Sequence, residues 1–184
     1  MPFDEINALK EELTFGQYVR DDGKVGYSQT REEIEDTIET ILVLSYIYGT
    51  NAANDMLGTD FAPDVAKMDA SINKRIAGKT WRERVRDYVD NGGTVEDIVR
   101  VADTESHRDT NEGIYDTAVE GGAQYKTWET MMDNRVREAH EELQGQTVPL
   151  NDVFVTWDGH EARYPGDFDT AELNANCRCY LEVS

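Results

Sequence analysis

The chain has 184 residues, an apolar fraction of 39% and a formal charge of −20, from 38 acids against 18 bases. That length supports one ordinary domain, or a helical part joined to a smaller module, with a core that needs no covalent staples. The charge excludes nonspecific nucleic-acid binding, which needs clustered Lys and Arg. No apolar run approaches the roughly eighteen residues of a membrane span, and Met1–Lys10 carries acids where a secretory leader would carry bases.

In chain order, Ile6, Ala8, Leu9 and Leu13 form a short amphipathic stretch, and the polar passage from Arg20 to Gly26 reads as a loop or hairpin. Ser28 or Thr30 then caps a long helix with Glu32 and Glu33 in its first turn. Ile34, Ile38, Ile41, Leu42 and Ser45 recur at helical spacing and form its inner face, and the helix is expected to end near Leu57-Gly58. Pro63 suits the first position of a helix over Asp64–Ala77. Thr80 caps another through Tyr88, stopped by Asn91-Gly92-Gly93, and Thr94 opens a further helix reaching about Val119. Gly121-Gly122 is the clearest boundary.

Beyond it the texture changes. Ala123–Met131 alternates as a strand, and Asp133–Leu143 returns to helical spacing, with Asp133 an acid at the helix start and Arg137 a candidate partner. Phe154–Trp157 and His160–Tyr164 flank a two-residue Asp158-Gly159 turn as a hairpin, and Cys177–Val183 is the last strand. The fold class expected is α+β: a mostly helical region over 1–121, then a small antiparallel sheet with one helix over 122–184.

The residues with most chemical content are Cys177 and Cys179. Two positions apart on a strand, they share a face with Leu181 and Val183, at the upper limit of separation for an unstrained bridge. They read as reduced core thiols, as part of a zinc-type site completed by His140 and an acid such as Asp133, or as a redox pair. Glu105 and His107 diverge at a two-residue helical spacing, so His107 reads as structural; His160, beside the hairpin turn, reads as solvated. No phosphate loop, His-Glu-x-x-His, Gly-x-Ser-x-Gly or dinucleotide fingerprint is present, and the expectation is a chain without enzymatic activity and with no obligatory cofactor.

The order Lys126-x-Trp128, then Asp133-x-Arg135-x-Arg137-x-x-His140, then Leu143-x-Gly145 continues with Val148-Pro149-Leu150, Tyr164-Pro165-Gly166-Asp167 and Asn176-Cys177-Arg178-Cys179. Upstream stand Ala102–Arg108 and Asn111-Glu112-Gly113. This ordered set resembles the phage Mu F-like family of minor head, or head morphogenesis, proteins. Asp103 departs from the pattern, which usually has Arg there, and residues 1–90 carry no motif of the family. The resemblance implies a low-copy component of the head of a tailed virus, associated with the portal vertex and active in head assembly or genome delivery. It further implies portal protein or major capsid protein as partners, and location in the virion head after assembly in the host cytoplasm. The end of the sequence five residues after Cys179 suits a plain structural form without an effector extension. A metal-binding or toxin-like enzyme module and a free-standing acidic DNA mimic are the alternatives. The acid surplus itself reads as adaptation to a halophilic host, as a plain solvated surface or as mimicry; only six Lys beside abundant Asp and Thr favour the first.

Overall fold

A computed structural model describes residues 2–15, 17–19, 21 and 25–184. Helix α1 spans Pro2–Phe15, and the short strands β1 (Gln17–Val19) and β2 (Val25–Tyr27) pair antiparallel. Of the passage expected as a loop or hairpin over 20–26, residues 20 and 22–24 lie outside the described set.

Four helices follow: α2 (Arg31–Leu57), α3 (Val65–Ile72), α4 (Trp81–Asn91) and α5 (Val95–Gly121). Their boundaries have local chemical causes. Thr30, Thr80 and Thr94 each close a reciprocal capping box, with Glu33, Glu83 and Asp97 respectively, which satisfies orphan backbone donors at both positions. At the other ends Gly58, Gly92 and Gly122 take the left-handed conformation that terminates a helix. The expectation for α3 is corrected. Its cap is Asp64, whose carboxylate accepts from the Ala66 and Lys67 N–H groups, so Pro63 stands before the cap, and the helix stops at Ile72.

The inner face expected for α2 is buried throughout: Ile34, Ile38, Ile41, Leu42 and Ser45 all lie in the interior. Together with Ile6 and Leu13 of α1, Trp81 and Val85 of α4, and Ile98, Val101 and Ala102 of α5, the apolar residues Ile34, Ile38, Ile41 and Leu42 build the N-terminal core. α2 and α5 run in close contact because glycine meets backbone twice: a Cβ at Gly49 would stand 2.0 Å from the Thr110 carbonyl oxygen, and one at Gly113 would stand 2.4 Å from that of Tyr46. Within this helical layer Arg108, 1% exposed, pairs with Asp109 at 2.7 Å and with Glu105, and donates to the Ser71 carbonyl at 2.7 Å. Burial raises the Asp109 carboxyl to about 6 in spite of Arg108.

The C-terminal part contains a three-stranded antiparallel sheet of order β4-β3-β7, formed by β3 (Tyr125–Glu129), β4 (Gln146–Pro149) and β7 (Tyr180–Val183). Trp128 of the central strand faces Gln146 on one side and Leu181 on the other. A separate hairpin joins β5 (Phe154–Val155) to β6 (Glu161–Ala162). Its loop has three residues, not two: Thr156 N–H donates to the His160 carbonyl at 2.9 Å, and Gly159 follows the intervening turn at φ 88°, the pattern of a turn closed by a glycine bulge.

The helix expected over 133–143 contracts to α6 (Glu138–Glu141), and a second short helix, α7 (Ala171–Asn174), follows the hairpin. The physical reason lies in Asp133, which accepts the Arg135 N–H at 3.0 Å in a local turn. A short acidic side chain that captures its own backbone in this way competes with the helix. The core here holds Trp128, Leu143, Phe154, Tyr164, Phe168 and Leu181 and extends to Ile114 and Ala118, so α5 lines both cores. Among the described residues no helix is long and apolar enough to cross a membrane.

Candidate metal centre

β7 is an edge strand of the sheet, and the segment before it, Cys177–Cys179, continues the same alternation: Cys177, Cys179, Leu181 and Val183 are buried, while Tyr180 and Glu182 face outward. The sulfurs therefore point inward together, as strand periodicity requires. Opposite them, the single turn of α6 carries His140, 1% exposed. Its ring is held between Phe168, stacked at 5.5 Å between centroids, and the edge of Trp128, also at 5.5 Å.

His140 Nδ1 lies 3.6 Å from Cys177 Sγ and 3.6 Å from Cys179 Sγ. The three donor atoms fall within 4.8 Å of one another, all from buried residues, and both cysteines are free thiols. Among the described residues His140 Nε2 has no hydrogen-bond partner. The two thiols are perturbed in opposite directions. The Cys179 thiol is lowered, first by the hydrogen bond from Cys177 and then by His140. Cys177 is correspondingly raised, first by that same bond and then by burial. The Trp128 indole N–H, which has no partner of hydrogen-bond geometry among the described residues, still lies near enough to Cys179 to favour the thiolate. A cavity of about 10 Å³ adjoins the three donors, lined also by Arg135 and Arg137.

The sequence expectation of His140, Cys177 and Cys179 as one cluster thus meets a structure that brings the three together. Asp133 does not join them. It binds Arg178 through two contacts of 2.8 and 2.5 Å, and that pairing holds its carboxyl well below the usual range. Nor does Asp133 start a helix. Arg137 turns away from it and donates to the Ala175 carbonyl. His107 donates no side chain to the cluster; it meets Asn111 Nδ2 at 3.3 Å. His160 lies near Asp169, at 3.3 Å, and is about one-third exposed.

One positioning residue was not singled out as a site residue from the sequence. Asn111 of α5 accepts the Leu181 N–H at 2.9 Å and donates to the Cys179 carbonyl at 3.4 Å, so it occupies the open edge of β7. Its signals in the sequence are its place in the Asn111-Glu112-Gly113 fragment of the family resemblance and its helical spacing from Ile114 and Ala118 on the buried face of α5. A larger cleft of about 650 Å³ adjoins this edge and is bordered by Ile6, Lys10, Asp103, Asn111, Cys177 and Tyr180 among others.

Residues 66–182 match the family described as Phage Mu protein F like protein. The chain belongs to that family. It is similar to the minor head protein GP7 of Bacillus phage SPP1, with 30% identity over 83 residues, covering 44% of this chain and 27% of the relative. It is also similar to NAD(+)--arginine ADP-ribosyltransferase EFV of Enterococcus faecalis (strain ATCC 700802 / V583), with 26% identity over 201 residues, covering 96% of this chain and 41% of the relative. The chain therefore spans less than half the length of these two relatives. No solved structure matches it.

The transferase match corrects the expectation of a chain without enzymatic activity: similarity along nearly the whole chain to an enzyme removes the ground for that reading. The expectation rested on absent motifs, and short motifs test only the chemistries that use them.

Proposed function

We propose that this protein is a minor component of the head of a tailed phage and acts in head morphogenesis. The observation that carries the reading is family membership over residues 66–182 together with the similarity to a minor head protein. In this reading the helical part, 1–121, supplies a docking face and the 122–184 module is the rigid unit. The partners are the portal protein and the major capsid protein, with genome delivery following from a place at the portal vertex. The protein is assembled in the host cytoplasm and resides in the virion head. The charge of −20 supports protein partners over the packaged DNA.

The test is protein composition of purified particles. Mass spectrometry of full heads is expected to find the chain at low copy number, and co-purification with tagged portal protein is expected to recover it. Its absence from particles and from both portal and capsid pull-downs would overturn the proposal. A second reading, ADP-ribosyl transfer, is favoured by one observation, the 26% identity over 96% of the chain. Incubation of the purified protein with NAD and an arginine-bearing acceptor tests it directly, since transfer releases nicotinamide.

A further inference from the structure

We infer that His140, Cys177 and Cys179 form a zinc site that ties the α6 turn to the C-terminal strand. The argument rests on position. A tetrahedral zinc with Zn–S of about 2.3 Å and Zn–N of about 2.0–2.1 Å holds its nitrogen and sulfur ligands about 3.5–3.6 Å apart. His140 Nδ1 stands 3.6 Å from each of the two sulfurs. A single N–H points along one line and satisfies one sulfur well. Two equal distances from one nitrogen describe a common centre instead.

The surroundings agree with that centre. All three donors are buried, so their orientation is set by packing: His140 between Trp128 and Phe168, and the cysteines by the strand alternation that Asn111 secures. Two thiolates, one imidazole and a water make a neutral zinc complex, which suits an apolar core better than a bare pair of thiolates. The adjoining cavity of about 10 Å³ provides the fourth position, with room for about one water. Thiolate and imidazole donors select zinc over magnesium or calcium, whose ligands are oxygens. On binding, the cysteine ligands lose to solvent whatever thiol protons they carry, no group is oxidised or reduced, and affinity accordingly rises with pH.

The experiment uses the full chain. Elemental analysis of protein purified with zinc in the medium and then dialysed is expected to give one zinc per chain, and titration of the metal-free protein with Co²⁺ is expected to produce thiolate-to-cobalt charge-transfer absorption. Cys179→Ser and His140→Asn are each expected to weaken zinc binding by roughly 100-fold or more. Because either variant risks misfolding, the wild-type measurements stand alone. Sub-stoichiometric zinc together with a Co²⁺ titration lacking charge-transfer absorption overturns the assignment, whatever the variants do.

Discussion

The Asn111 side-chain oxygen accepts the Leu181 backbone N–H at 2.9 Å, so a helix residue completes the edge of a β-sheet. An edge strand normally presents unpaired backbone groups to solvent or to another chain. Here α5 covers them, and the same amide reaches the Cys179 carbonyl. The contact therefore docks the sheet on the helical layer and holds the segment that carries both thiols. Asn111→Ala removes two partners from buried backbone groups, and the expected loss is roughly 2–6 kcal/mol at about 1–3 per group. Denaturant unfolding of the variant checks this, and a change under 1 kcal/mol would mean that water replaces the amide at no cost.

Gly113 tests the helix-to-helix approach. An added Cβ would meet the Tyr46 carbonyl oxygen at 2.4 Å, and that oxygen belongs to the rigid backbone of α2. Ala is ordinarily favoured over Gly in a helix by about 1 kcal/mol. Gly113→Ala is nevertheless expected to destabilise, by roughly 1–3 kcal/mol or more, because overpacking forces the backbones apart. Thermal unfolding would decide the sign, and a rise in melting temperature would sink the close-packing argument.

Lys126 sits on the inner face of β3 at 0% exposure, with Nζ unpartnered by hydrogen bonds among the described residues and placed over the Tyr115 and Phe154 rings at 4.8 and 5.4 Å. Burial lowers its pKa to about 8, against the ordinary 10.5. The unfolded chain thus binds more protons than the folded one between about pH 8 and 10.5, and stability rises with pH across that window. Below pH 8 the folded state carries the full cost of a buried cation, on the order of 3 kcal/mol for that shift. Lys126→Met is expected to stabilise the protein at pH 7, with the advantage shrinking as pH climbs toward 10.5. Urea unfolding of both proteins at several pH values measures it; an advantage that does not change with pH would place the effect in packing instead of charge.

Much of the helical part was legible because its signals are local. Thr30, Thr80 and Thr94 each stand three residues before an acid, and Gly58, Gly92 and Gly122 follow the last periodic positions; each device acts within one turn of backbone. The α2 face from Ile34 to Ser45 was legible because burial of one side imposes helical spacing on the sequence. The helix expected over 133–143 shortens because Asp133 captures the Arg135 backbone N–H, which apolar spacing at Val136, Ala139 and Leu143 does not register. The catalytic question was misread for a different reason, since missing motifs do not bear on chemistry that uses none of them.

For the thiol cluster the division is sharp. Alternation along the last strand determined from sequence that Cys177 and Cys179 share the buried face, because side chains on extended backbone repeat every two residues. That His140 meets both sulfurs at 3.6 Å was decided only by tertiary structure. The α6 turn lies 37 residues from Cys177 along the chain, and its approach depends on the packing of Trp128 and Phe168 around the imidazole and on Asn111 holding the strand edge. Those contacts join residues distant in sequence, and no local pattern encodes the distance between them.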